Sequence, residues 1–165
     1  MKGTERILSL VSLIFGAVAA LASALTLTAT VAAANTEQWS RMPSSISPYL
    51  FLLWCPTLFF GVTLFVVGIG VYQERPWAWT AAFRWSVGAL AFLPFQLWLQ
   101  VGVIAPRTHA ALAAMDTNSL LEPAAPMTQG EWIFVIARHV LIYGPLPVVL
   151  LVLSTRARNK AVALA

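Results

Sequence analysis

Arg138 and His139 stand side by side in VIARHVLIYGPLP, Val135–Pro147, a stretch that is otherwise almost wholly apolar. An ionisable side chain in hydrocarbon is costly, so it marks either a binding site or a residue that reaches back to the headgroups. Arginine presents a planar fork of donors suited to a carboxylate or phosphate. Histidine offers an axial ligand to haem, a hydrogen bond to a quinone, or a pH-sensitive contact. Gln96 and Gln100 are four residues apart, and Glu131 precedes Arg138 by seven, so each pair shares a helical face. At about 1.5 Å per residue, these polar groups fall roughly 6–12 Å from the outer end of their helices. They form the candidate polar cluster of the chain, with Glu131 as counter-ion and Trp54, Cys55 and Pro56 entering at a similar depth. Snorkelling, or interhelical bonding of Arg138 to Gln96 or Gln100, is favoured over a ligand or partner contact.

The same residue types exclude more than they establish. A bis-histidine haem would pair His139 with His109, which falls in a loop outside the membrane. A quinone suits a His, Arg and Gln pocket, but would require a redox partner. No cofactor is therefore expected, with a quinone or a bound lipid as the candidates. Cys55 is the only cysteine, so thiol exchange and thiolate metal centres are excluded, and it reads as a small buried apolar residue. No carboxylate falls within an apolar run, which disfavours proton-driven transport. No phosphate-binding glycine loop or metalloprotease motif is present, so no catalytic residue and no metal ligand is expected.

The elements that carry these groups are membrane helices. The chain has 165 residues, 59% of them hydrophobic and only 10% charged, with a mean hydropathy of +0.79. Four apolar runs, about 7–31, 49–72, 83–104 and 132–153, are each long enough to cross a hydrocarbon core of roughly 30 Å. None alternates with period two, so the fold class is an all-α integral membrane protein with four transmembrane helices in a single domain, 1–165. Lys2, Arg6 and the small residues VAAAN at Val31–Asn35 also suggest a secretory signal. An apolar run of about 25 residues exceeds the usual 7–15 of such signals, so the first span is expected to stay as an anchor. Although Arg138 costs about 2.5–3.5 kcal/mol at a helix centre, the fourteen Leu, Ile, Val and Phe residues of the last run return roughly 4–8 kcal/mol, and it should insert.

Basic residues orient the spans. Lys2, Arg6, Arg75, Arg84, Arg156, Arg158 and Lys160 fall on one side, against Arg41 and Arg107, which puts both termini in the cytoplasm. The net charge of +4 is then a topology signal, and no nucleic-acid partner is expected. The long connection 105–130, between the third and fourth spans, lies outside the cell; its stretch THAALAAMDTNSLLEP is a candidate short surface helix within a covering loop. Trp77, Trp79 and Trp85 in the inner turn are expected as headgroup-level anchors.

Packing is signalled by small residues. Ser12, Gly16, Ala20, Ala24 and Thr28 recur every fourth position as a ribbon that admits a close backbone, and Gly61 and Gly68 repeat the device seven apart. The partner of the ribbon is either a helix of this chain or one of another subunit. The composite expectation is a non-catalytic accessory, assembly or stabilising subunit of a larger complex in a bacterial inner (plasma) membrane. Its partners would be membrane lipids and either other membrane subunits or further copies of itself. The alternatives are a small oligomeric carrier or channel, and a quinone-site redox or lipid-modifying protein using the Arg138 and His139 cluster.

Overall fold

The structure is a computed structural model that describes residues 3–34, 47–108 and 129–163, and every element in them is helical. Helix α1 covers Gly3–Ala34 and α2 covers Ser47–Tyr72. Helix α3 covers Ala78–Leu97 and runs on through a π-helical segment, Trp98–Ile104, to Thr108. Helices α4, Gln129–Tyr143, and α5, Pro145–Ala163, follow. Three stretches, Glu5–Ala32, Pro48–Tyr72 and Ala78–Thr108, are long and apolar enough to cross a membrane. A helix is the form such sequences take because it satisfies every backbone N–H and C=O within one segment, where lipid offers no partner. The outer segment before α2 and most of the 105–130 connection, with the short helix expected there, lie outside the described residues.

Among the described helices, α1 and α2 share the most extensive contact. A Cβ added to Gly16 would lie 2.5 Å from the Phe65 nitrogen and 2.9 Å from the Gly61 oxygen; one added to Gly61 would lie 2.7 Å from the Ala20 nitrogen. Only glycine allows the backbones this near, and the two glycines sit opposite each other. Gly68 meets Leu13 one turn further along, and the Ser9 hydroxyl donates to the Gly68 carbonyl at 3.0 Å. The ribbon of small residues therefore faces a helix of the same chain over Ser12, Gly16 and Ala20. Ala24 is half-buried and Thr28 is exposed, its hydroxyl turned back to the Ala24 carbonyl. Four residues advance a helix by about 400°, so a strict four-residue ribbon drifts by about 40° per step and leaves the contact. Ser9, Ser12, Gly16, Ser23 and Thr30 are the polar or small positions that stay buried, at spacings that average nearer the helical repeat.

The α2–α3 turn is closed by its backbone. Arg75 donates to Gly70 and Glu74 to Val71, a Schellman pattern that places Glu74 at φ 56°, the position usually held by glycine. Trp77 folds its ring onto Gly70, and α3 begins at Ala78, five residues earlier than the apolar run suggested. The early start is explained by burial: Ala78 and Ala82 are fully enclosed among Leu8, Leu64, Val67, Val71 and Leu150. At the other end Leu53, Leu99, Val103 and Ile104 form a second cluster, and the Arg107 guanidinium lies 4.6 Å above the Tyr49 ring. Cys55, expected inside, is exposed on α2, since its neighbours Leu53 and Thr57 take the inward positions of that turn.

The expected fourth span over 132–153 is divided in two. Gly144 still donates to Val140 at 2.8 Å, but Pro145 and Pro147 have no N–H, and the next helix restarts with Val148 donating to Gly144. A Cβ on Gly144 would sit 2.6 Å from the Val140 oxygen, so the bend needs glycine. Among the helix pairs in contact, α1 lies against α2, α2 against α3, and α5 against α3, while α4 touches α3 and the π segment.

Gly16→Leu is expected to destabilise the protein by at least about 1–3 kcal/mol through overpacking, because the added atoms meet backbone and not a flexible side chain. Val18→Leu, at a position 61% exposed, should stay within about 0.5 kcal/mol of the parent. Thermal unfolding of both variants in mild detergent checks the difference.

Candidate functional site

One face of α3 presents Trp85, Ala89, Phe92 and Gln96 at spacings of four, three and four, the rhythm that keeps residues in line along a helix. Opposite them stand Phe15 and Ala19 of α1, Phe60, Gly61 and Leu64 of α2, and Tyr143, Leu146 and Pro147 around the α4–α5 bend. These surfaces leave a cavity of about 60 Å³ at the junction of the bundle. Tyr143, Leu146 and Pro147, around the Gly144 bend, close one wall of it.

The lining is aromatic on one side. Phe60 and Phe92 stack with centroids 5.3 Å apart, and the Trp85 ring meets Phe60 edge-on at 6.3 Å. The Trp85 indole N–H donates to the Phe60 carbonyl at 2.9 Å, and the Thr57 hydroxyl to the Leu53 carbonyl at 2.7 Å. Trp85, half-buried, thus ties α2 to α3 through its indole N–H. Trp79 is half-buried against the main core, and Trp77 remains exposed at the turn.

With the donors of Trp85 and Thr57 engaged, Gln96 is a further polar side chain that borders the cavity. It is 6% exposed and makes no hydrogen bond with another described residue. A buried amide left without a partner costs about 1–3 kcal/mol, and a cavity holds a water once it offers roughly 10–15 Å³. The space beside Gln96 therefore admits water or the polar end of a small ligand. An amide can donate two hydrogen bonds and accept at its oxygen, but it neither carries charge nor moves a proton at ordinary pH. The chemistry available here is recognition of a carbonyl, hydroxyl or water within an aromatic surround.

Gln100 lies one turn beyond Gln96, in the π segment, half-buried and outside the cavity lining. Arg138, His139 and Glu131 are carried on α4, whose backbone runs beside α3 and the π segment, so the helices bearing the sequence cluster are neighbours. The three side chains themselves lie outside the described residues. Among the described residues no group of three His, Cys, Asp or Glu side chains is arranged to hold a metal ion. Tyr143 and Phe60 were not evident as site residues beforehand. The signal that could have found the α3 face is the four-three-four spacing from Trp85 to Gln96. Compared with protein families, curated proteins and solved structures, the chain matches none.

Because the Gln96 amide reaches the cavity and bonds no other described residue, Gln96→Leu is expected to leave the melting temperature of the purified protein unchanged or higher. Gln96→Ala, which enlarges the cavity, should lower it. A fall in melting temperature for Gln96→Leu as large as that for Gln96→Ala would show that the amide is satisfied by a bound molecule.

Proposed function

We propose that this chain is a non-catalytic subunit that assembles or stabilises a larger complex in a membrane, crossing it four times with both termini in the cytoplasm. In this reading α4 and α5 together form the fourth crossing, broken at Gly144. The seven basic residues gathered at Lys2, Arg6, Arg75, Arg84, Arg156, Arg158 and Lys160 support the orientation. A bacterial inner membrane is the setting that this charge pattern favours.

The observation that carries the reading is the outer face of α1. Its inner face is used on α2, while Ile7, Leu10, Ile14, Val18, Leu21 and Leu25 are 50–70% exposed along the opposite side. These residues span about 27 Å at 1.5 Å per residue, nearly a whole bilayer core, and no other described helix covers them. Such a face gives a neighbouring membrane helix a continuous apolar surface on a helix already anchored to the bundle. The Gln96 cavity adds recognition without a reacting group, which agrees with a binding or structural role.

Three measurements test this. Purification in mild detergent should yield stoichiometric partner chains, and the triple change Ile14→Ala, Val18→Ala and Leu21→Ala should release them while shifting the melting temperature of the isolated protein only slightly. Substrate flux in liposomes that contain this chain alone would instead establish a carrier or channel. A reporter fused after Ala165 or inserted near Glu74 should score cytoplasmic, and one near Asp116 external; external signal at either of the first two sites rejects the four-crossing arrangement.

A further inference from the structure

A second opening, separate from the Gln96 cavity, runs along the outside of the α2–α3 hairpin. It is a groove of about 620 Å³ that begins at Trp77 and Thr80, passes Val66 and Arg84, and ends between Phe60 and Gly88. We propose that this groove holds one anionic phospholipid, its phosphate on Arg84 and one acyl chain in the apolar part.

Length argues first for this occupant. From Trp77 to Gly88 the wall is eleven residues of α3, about 16 Å at 1.5 Å per residue, which is close to half of a hydrocarbon core of roughly 30 Å. The groove therefore has the depth of a single leaflet. A partner helix crossing the membrane would need a path through both leaflets, whereas an acyl chain needs one.

Charge argues second. Arg84 is exposed on the groove wall and forms no hydrogen bond or ion pair with another described residue. The carboxylates at this end of the bundle, Glu5 and Glu74, line a different crevice with Arg75 and Trp79, which shares no residue with the groove. Side chains on a helix lean toward its N-terminus, so Arg84 is carried toward the turn, where Trp77 marks the level at which tryptophan meets headgroups. Thr80 lies four residues before Arg84 on the same face and adds a hydroxyl donor. A guanidinium fork beside a hydroxyl matches a phosphodiester, and the apolar continuation past Arg84 matches what is attached to it.

The glycine at 88 shapes the far end. A Cβ placed there would approach the Phe60 ring at 3.3 Å, so the ring lies over the glycine and leaves the space on its open side free. The groove is formed by residues distinct from the α1 face proposed for subunit contact, and the two proposals fail independently.

The test is native mass spectrometry of the full chain extracted in mild detergent from vesicles of phosphatidylcholine containing phosphatidylglycerol. The parent should retain one phosphatidylglycerol in preference to phosphatidylcholine. Arg84→Gln should lower its retention about ten- to a hundredfold, the loss expected for a hydrogen-bonded charge pair, and Arg84→Lys should keep part of it. Val66→Trp, at an exposed wall position, should also displace the lipid while leaving Arg84 in place. Equal retention of phosphatidylglycerol by the parent, Arg84→Gln and Val66→Trp would overturn the proposal, and so would a second copy of the chain that is bound in the parent without lipid and lost on Val66→Trp. Should Arg84→Gln fail to fold, Arg84→Lys and Val66→Trp carry the decision.

Discussion

The approach of two backbones at Gly16 and Gly61 is the constraint on which the rest of the bundle depends. Within lipid, apolar side chains gain little by leaving the hydrocarbon, so helices associate through close van der Waals contact and a few hydrogen bonds. Gly16 and Gly61 supply the contact, and Ser9 supplies a hydrogen bond to the Gly68 carbonyl. Everything that α1 contributes elsewhere hangs from this seam. Phe15 and Ala19 reach the central cavity only because the backbone beside them is held near Gly61, and Leu8 reaches the inner core by the same contact.

Helix α2 then acts as the shared support. It receives α1 through its glycines and α3 through the Trp85 indole at the Phe60 carbonyl. The bonds given by Ser9 and Trp85 each end on a main-chain carbonyl, which has a second lone pair left after serving its own helix. Such acceptors do not swing away as side chains do, so the two neighbours are held to a rigid rod. The cavity lies on one side of this rod and the groove bearing Arg84 on another, with Phe60 bordering both.

Much of this was legible in the sequence, and the parts that were not have physical reasons. Long uninterrupted apolar runs leave little choice but helices, and Gly16, Gly61 and Gly68 were readable as contact points because no other residue permits such proximity. The inward face of α3 was harder. In a soluble helix an apolar stripe stands out against a polar face, but in a membrane helix the lipid-facing residues are equally apolar, so Trp85, Ala89, Phe92 and Gln96 lack contrast with Val87 or Phe95 beside them. Cys55 was misplaced for the same reason, since nothing in its residue type distinguishes the two sides. The division of the last run at Gly144 was written in Gly-Pro-Leu-Pro, yet hydropathy sums over residues and does not register a missing N–H. Trp85 shows another limit: its residue type and position cannot reveal that its indole donor is engaged by the Phe60 carbonyl.

The seam between α1 and α2 also has a thermal consequence. Soluble domains lose stability on cooling because unfolding wets apolar surface and raises the heat capacity, which bends the stability curve into a dome. Separating these two helices inside a bilayer would expose Gly16, Gly61 and their neighbours to acyl chains and not to water. The heat-capacity change should then be small, and the free energy of the contact should vary almost linearly with temperature. This pair of helices is held by a contact with no cold limit of its own.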